Sequence, residues 1–88
     1  MLTELKKIHF VGIGGSGMSA IARVLLEQGY KVSGSDLSES EIVKKLKALG
    51  ADIYQEHKAE HVNGVDAIVV STAIAKNNPE VVAAIDNN

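Results

Sequence analysis

Short continuous apolar runs alternate along the chain with stretches in which apolar residues recur every three to four positions, the signature of βαβ units around a parallel sheet. Ile8, Phe10 and Val11 make Lys7 to Val11 the first predicted strand, which Gly12-Ile13-Gly14-Gly15-Ser16-Gly17 ends in a tight turn. Met18, Ile21, Ala22, Leu25 and Leu26 then line up as one buried stripe of a helix that Gly29 closes. Lys31 to Ser35 reads as a second strand, weakened by Gly34, with Asp36 at its carboxyl end. Ser38 and Glu41 precede Ile42, Val43, Leu46 and Leu49, so they predict a capping box on a second helix terminated by Gly50. Asp52-Ile53-Tyr54 is a short third strand, Gln55 to Gly64 is polar with room for one irregular turn, and Ala67-Ile68-Val69-Val70 is the clearest strand of all. Asn78-Pro79 opens a last helix, to which Val81, Val82 and Ile85 give an apolar face.

Right-handed crossovers place these four strands in the order 3-2-1-4 with helices on both faces, an α/β, Rossmann-like half of a doubly wound fold. The final helix ought to return to the sheet, so a fifth strand beside the fourth is expected to be missing. Without it, strand four is an open edge through which the chain could self-associate.

Composition narrows the function classes. With 88 residues, 45% apolar and 23% charged, the chain is one small globular domain whose thin core leaves little room for a second catalytic layer. Nine Lys+Arg against eleven Asp+Glu, with no basic run longer than a pair, argue against nucleic acid as a partner. The absence of cysteine excludes disulfides and thiol chemistry, and the three histidines make no metal-binding spacing. No apolar signal segment and no membrane-length run occurs, so a cytoplasmic location is the expectation.

Gly12, Gly14 and Gly17 fit G-x-G-x-x-G in the strand-turn-helix context that motif requires. The first glycine permits the turn, the second lets backbone approach a diphosphate, and the third allows close helix-to-strand packing. A bound phosphate would sit on the free amides of the helix starting near Ser16; alternatively, the glycines merely solve a packing problem. Asp36, at the end of strand two, can accept hydrogen bonds from a ribose or base, or can serve as a turn or capping aspartate. The segment Ser71-Thr72-Ala73-Ile74 leaves strand four across the crevice, as a ligand contact or a strand-exit turn. His9 reads as a buried structural histidine. His57 is near enough to the crevice to reach a nucleotide, His61 with Lys58 reads as a solvated face, and no acid partner stands at relay spacing from either. No Walker-type ATP loop occurs.

Three stretches, His9-Phe10-Val11-Gly12-Ile13-Gly14-Gly15-Ser16-Gly17-Met18-Ser19, Gly34-Ser35-Asp36-Leu37-Ser38-Glu39-Ser40, and Ser71-Thr72-Ala73-Ile74 with Asn78-Pro79-Glu80, closely resemble the N-terminal domain of the Mur ligases, in the branch that adds L-alanine to UDP-N-acetylmuramic acid. These are three-domain cytoplasmic enzymes of bacterial peptidoglycan synthesis. The resemblance implies that residues 1–88 grip the UDP part of UDP-N-acetylmuramic acid. ATP and magnesium would belong to a central domain absent here, and part of the amino-acid site to an absent C-terminal domain.

By that resemblance Gly12, Gly14, Gly15, Ser16, Gly17 and Met18 would hold the diphosphate. Ser35, Asp36, Leu37 and Ser38 would surround the uridine, with His57 and Ser71, Thr72, Ala73 and Ile74 closing the other side. One position departs from the family pattern: Glu56 stands where a glycine commonly precedes the histidine matching His57. No catalytic residue, cofactor or metal is expected within this stretch, which would be inactive alone. On physics alone, the same glycines and Asp36 would equally serve an NAD-binding regulatory module, and a structural fragment without ligand affinity is a third reading.

Overall fold

The computed structural model describes residues 6–71 and 74–87. The elements run β1 (Lys7–Val11), α1 (Ser16–Glu27), β2 (Lys31–Ser35), α2 (Glu41–Ala48), β3 (Asp52–Tyr54), a 3-10 turn (Ala59–Val62), β4 (Ala67–Val70) and α3 (Pro79–Asn87). All strand pairs are parallel and the order is β3-β2-β1-β4, as the crossover rule requires. Among the described residues β4 pairs with β1 alone, which leaves its outer side an edge with Val70 exposed.

Side chains alternate across a strand, so the two faces of this sheet differ in chemistry. Ile8, Phe10 and Val32 point to one face and pack with Ile13, Met18 and Ala22, and with Val43 and Leu46 of α2, to form the hydrophobic core. His9, Ser33 and Ser35 occupy the alternate positions, with Asp52 and Tyr54 in register beside the two serines. This second face is polar across β2 and β3 and apolar toward β4, where the buried Val11 pairs with Val70 and His9 with Ile68, and its polar part receives the 3-10 turn and Glu80 of α3.

Three sequence expectations change in the structure. Met18 and Ala22 are buried and Leu25 and Leu26 pack on the core, but Ile21 is exposed. Neighbouring helix positions lie about 100° apart, and this small sheet covers only the arc centred on Ala22. The cap of α2 is Ser40, whose Oγ accepts the Val43 amide, not Ser38. Ser38 is still part of the preceding turn because Asp36 Oδ1 accepts its amide at 2.9 Å. In α3, Val82 and Ile85 are exposed while Glu80 is fully buried, since the sheet face that α3 meets offers polar partners.

Candidate functional site

The glycine turn is built across the end of β2. The amides of Gly12 and Ile13 both donate to the carbonyl of Ser35, at 2.8 and 3.0 Å. Gly12 has φ +78°, a left-handed conformation that side chains resist, and a Cβ there would also lie 2.9 Å from Ile74 Cδ1. Ile74 thus brings the exit of β4 against the turn, where its amide bonds back to the Ser71 carbonyl. Ile13 is fully buried and seats directly on Gly34, the glycine that weakens β2 as a strand but admits this contact.

The other two motif glycines reverse the roles assigned from sequence. A Cβ at Gly14 would fall 2.7 Å from Asp36 Oδ2 and 3.1 Å from Val43 Cγ2, so the second glycine is the one required by close packing. At Gly17 an added Cβ meets nothing within 4 Å, so the third glycine is not a helix-to-strand packing residue; it faces open space. The reason is that Asp36 reaches back over the turn and accepts the Gly14 amide at 2.8 Å, filling the space above Gly14. Asp36 accepts one amide on each oxygen and pins the glycine turn to the turn after β2.

Helix α1 begins at Ser16 behind Gly15, which has no side chain to cap it. The first three amides of a helix, here those of Ser16, Gly17 and Met18, have no intrahelical acceptor, and they carry the positive end of the helix dipole. Ser35, Asp36, Leu37 and Ser38 leave β2 alongside, with Leu37 and Ser38 exposed. The structure therefore brings the glycine turn, the Ser35–Ser38 segment, Ser71 and Ile74 to the carboxyl end of the sheet. Thr72 and Ala73 lie outside the described residues, as does the side chain of Ser16.

Behind this crevice, on the polar face, lies a cluster that the sequence reading missed. Glu80 is buried on the second residue of α3, and its two oxygens collect four donors. Oε1 accepts from His9 Nε2 at 2.7 Å and Ser35 Oγ at 2.6 Å. Oε2 accepts from His61 Nδ1 at 2.6 Å and the Lys58 amide at 3.1 Å. These saturate the carboxylate. His9 in turn accepts the Ser33 hydroxyl on Nδ1, and His57 Nδ1 lies 2.7 Å from Ser35 Oγ. His61 is not a solvated residue: its side chain is almost fully buried and stacks on Tyr54 with ring centroids 3.9 Å apart.

Glu80 is thus the acid partner that sequence spacing did not reveal for His57 and His61: it bonds His61 directly, as it does His9, and its Oε2 lies 3.8 Å from His57 Nδ1. Burial pushes the His9 imidazole below its ordinary pKa despite the opposing pull of Glu80. Burial alone would raise Glu80, but the hydrogen bonds from Ser35, His61 and His9 outweigh it and hold the carboxyl below its usual range. The signal available in the sequence was the polar alternation of His9, Ser33 and Ser35 in strands buried on both faces, together with an acid in the first turn of a Pro-started helix.

Comparison with known proteins gives consistent results. A family model described as "Mur ligase family, catalytic domain" matches residues 7–88. A UDP-N-acetylmuramate--L-alanine ligase of Clostridium botulinum is 57% identical over 83 residues, covering 94% of this chain and 18% of that protein. One of Ralstonia nicotianae is 60% identical over 80 residues, covering 91% and 17%. Among solved structures, the UDP-N-acetylmuramate-alanine ligase of Thermotoga maritima superposes with TM-score 0.86 at 41% identity, over 92% of this chain and 19% of that one. The UDP-N-acetylmuramate:L-alanyl-gamma-D-glutamyl-meso-diaminopimelate ligase of Neisseria meningitides gives 0.80 at 34% identity, over 94% and 26%. The chain thus spans less than a fifth of the length of the curated relatives it matches.

Proposed function

The chain belongs to the Mur ligase family, and from that membership we propose that it is the part of a UDP-N-acetylmuramate:L-alanine ligase that grips the UDP end of the substrate. The observation that carries this reading is the uncapped start of α1: three open amides at Ser16, Gly17 and Met18, beside a Gly17 with free space above it. These amides would take the diphosphate oxygens. Ser35 to Ser38 and His57 would flank the uridine on one side, with Ser71, Thr72, Ala73 and Ile74 on the other. The two structural relatives named above attach different groups, yet both names carry UDP-N-acetylmuramate, which supports assigning the shared end of the substrate to the shared domain.

The NAD-binding alternative draws no such support. The relatives named above are ligases of UDP-N-acetylmuramate, and Asp36, whose two oxygens each accept a backbone amide, has a structural task in holding the glycine turn that does not depend on a ribose. From the family membership we place ATP, magnesium and the amide-forming step in the remainder of the full-length ligase, and expect residues 1–88 to be inactive alone. No helix among the described residues is long and apolar enough to cross a membrane; the cytoplasmic location we assign rests on the family membership.

The test is an NMR titration of the labelled chain with UDP-N-acetylmuramic acid, UDP, NAD and ATP. The amides of Ser16, Gly17 and Met18 should shift with the two uridine compounds and respond little to ATP. NAD shifting them at lower concentration than UDP would overturn the reading.

A further inference from the structure

The Glu80 cluster fixes more than the packing of α3. A carboxylate held below its usual pKa range is ionised and only accepts hydrogen bonds, so the 2.6 Å contact consumes the single hydroxyl hydrogen of Ser35. Ser35 Oγ can then engage His57 Nδ1, 2.7 Å away, only as an acceptor. The hydrogen in that contact comes from the imidazole. A neutral ring has one N–H, so Nε2 is left bare. Among the described residues Nε2 of His57 has no hydrogen-bond partner, and no buried side-chain nitrogen or oxygen is left unsatisfied, so this nitrogen of the 16% exposed side chain meets solvent.

We propose that Glu80 is a positioning residue which, through Ser35, locks His57 as the Nδ1–H tautomer, so that the crevice presents a hydrogen-bond acceptor that selects an N–H or O–H donor on the bound nucleoside. The inference rests on the nucleotide-binding reading given above. Uracil carries a donor at N3 and cytosine an acceptor there, so a base contact discriminates between the two; a ribose hydroxyl would supply the same donor without discriminating. The chain order of the parts explains the design. Ser35 stands at the end of β2, where the uridine would lie, and cannot itself donate to ligand because α3 has claimed its hydrogen.

The experiment reads the ring nitrogens of His57 directly, by long-range proton–nitrogen correlation at roughly pH 8, above the ordinary imidazole range. The free chain should show a protonated Nδ1 and a bare Nε2, and UDP should shift the Nε2 signal upfield as it accepts a hydrogen bond. CDP or N3-methyl-UDP failing to move Nε2 assigns the donor to the base, whereas 2′,3′-dideoxy-UDP failing to do so assigns it to the ribose. If the base is the donor, UDP should bind roughly tenfold more tightly than CDP, the worth of one hydrogen bond. Glu80→Gln, whose amide can donate to Ser35, should release the tautomer and bring the Nε2–H form into view. Ser35→Ala does the same while keeping the Glu80 carboxylate and its bonds to His9 and His61, and stands in should Glu80→Gln fail to fold.

An Nε2–H tautomer in the free chain overturns the proposal. So does an Nε2 signal unmoved by UDP while the Ser16–Met18 amides respond, or a tautomer unchanged in Ser35→Ala. If those amides stay silent to UDP in the unaltered chain, the nucleotide reading itself fails, and the two failures are thereby told apart.

Discussion

Gly34→Ala tests how tightly the glycine turn is keyed to the sheet. A Cβ at this position would stand 2.5 Å from Ile13 Cδ1, 2.6 Å from its Cβ and 2.9 Å from its Cγ2. Contacts this short must be relieved by movement. Ile13 is fully buried and its backbone amide is bonded to the Ser35 carbonyl, so relief means lifting the turn off the end of β2. Overpacking of this kind costs about 1–3 kcal/mol, against a gain of about 0.5–1 kcal/mol from replacing glycine in the unfolded chain. The net loss should be about 1–2 kcal/mol, which for a domain of this size lowers Tm by about 5–15 °C. Thermal melts followed by circular dichroism measure it, and UDP titration of the same sample should show weaker binding because the turn is displaced. Adding Ile13→Val removes only the Cδ1 contact and leaves those at Cβ and Cγ2, so the double variant should recover no stability. A Gly34→Ala melt within about 2 °C of the unaltered chain, or a double variant more stable than Gly34→Ala alone, would refute the close-approach argument.

The remaining motif glycines should separate stability from binding. Gly14→Ala should lose both, because its Cβ invades Asp36 and Val43, whereas Gly17→Ala should keep stability or raise it, by up to about 1 kcal/mol of helix propensity, while UDP affinity falls. Comparing melts with titrations decides it, and wild-type affinity in Gly17→Ala would remove the diphosphate from that surface. Stability should decline on acidification: the depressed His9 pKa contributes stability that is full above 6.5 and lost as pH falls below it, and the depressed Glu80 adds a second loss below 4.5. Each proton taken up on unfolding steepens the fall by about 1.4 kcal/mol per pH unit, so urea titrations at pH 7.5, 6, 5 and 4 should show it; flat stability from pH 7.5 to 5 would contradict the buried neutral His9. The open edge of β4 should let the chain self-associate at high concentration, and Val70→Lys should suppress this in sedimentation equilibrium. Identical sedimentation of both proteins as monomers would show that the edge is not sticky.

Strands β1 to β4 begin and end where the sequence pattern placed them: β1 and β4 are short apolar runs, and the glycine turn after β1 and Gly50 before β3 mark boundaries that the pattern alone shows. The pattern failed where a choice depends on what lies opposite. Ile21 and Ala22 are both apolar, and only the width of the sheet decides which is covered. Ser38 and Ser40 both make acceptable caps, and the hydrogen bond from the Ser38 amide to Asp36 decides between them. The exposure of Val82 and Ile85 and the burial of Glu80 overturn most of the amphipathic reading of α3, in which Val81 alone is half-buried, since that helix packs on the 3-10 turn and sends Glu80 to His9 and Ser35 of β1 and β2. In the site, the glycine turn and Asp36 were legible from spacing alone. The Glu80 cluster was not, because His9 and Glu80 stand 71 residues apart and nothing local marks either as the other's partner.

The order in which a ribosome releases the chain gives the Glu80 socket a further meaning. All four strands, the three histidine rings and both serines precede residue 80, so the polar face of the sheet is made before the carboxylate that joins it. A nascent chain halted with α3 still in the exit tunnel holds a nearly complete sheet whose imidazoles and hydroxyls must stay wet. When α3 follows the four strands, its Glu80 takes the place of that water as the partner of His9, His61 and Ser35.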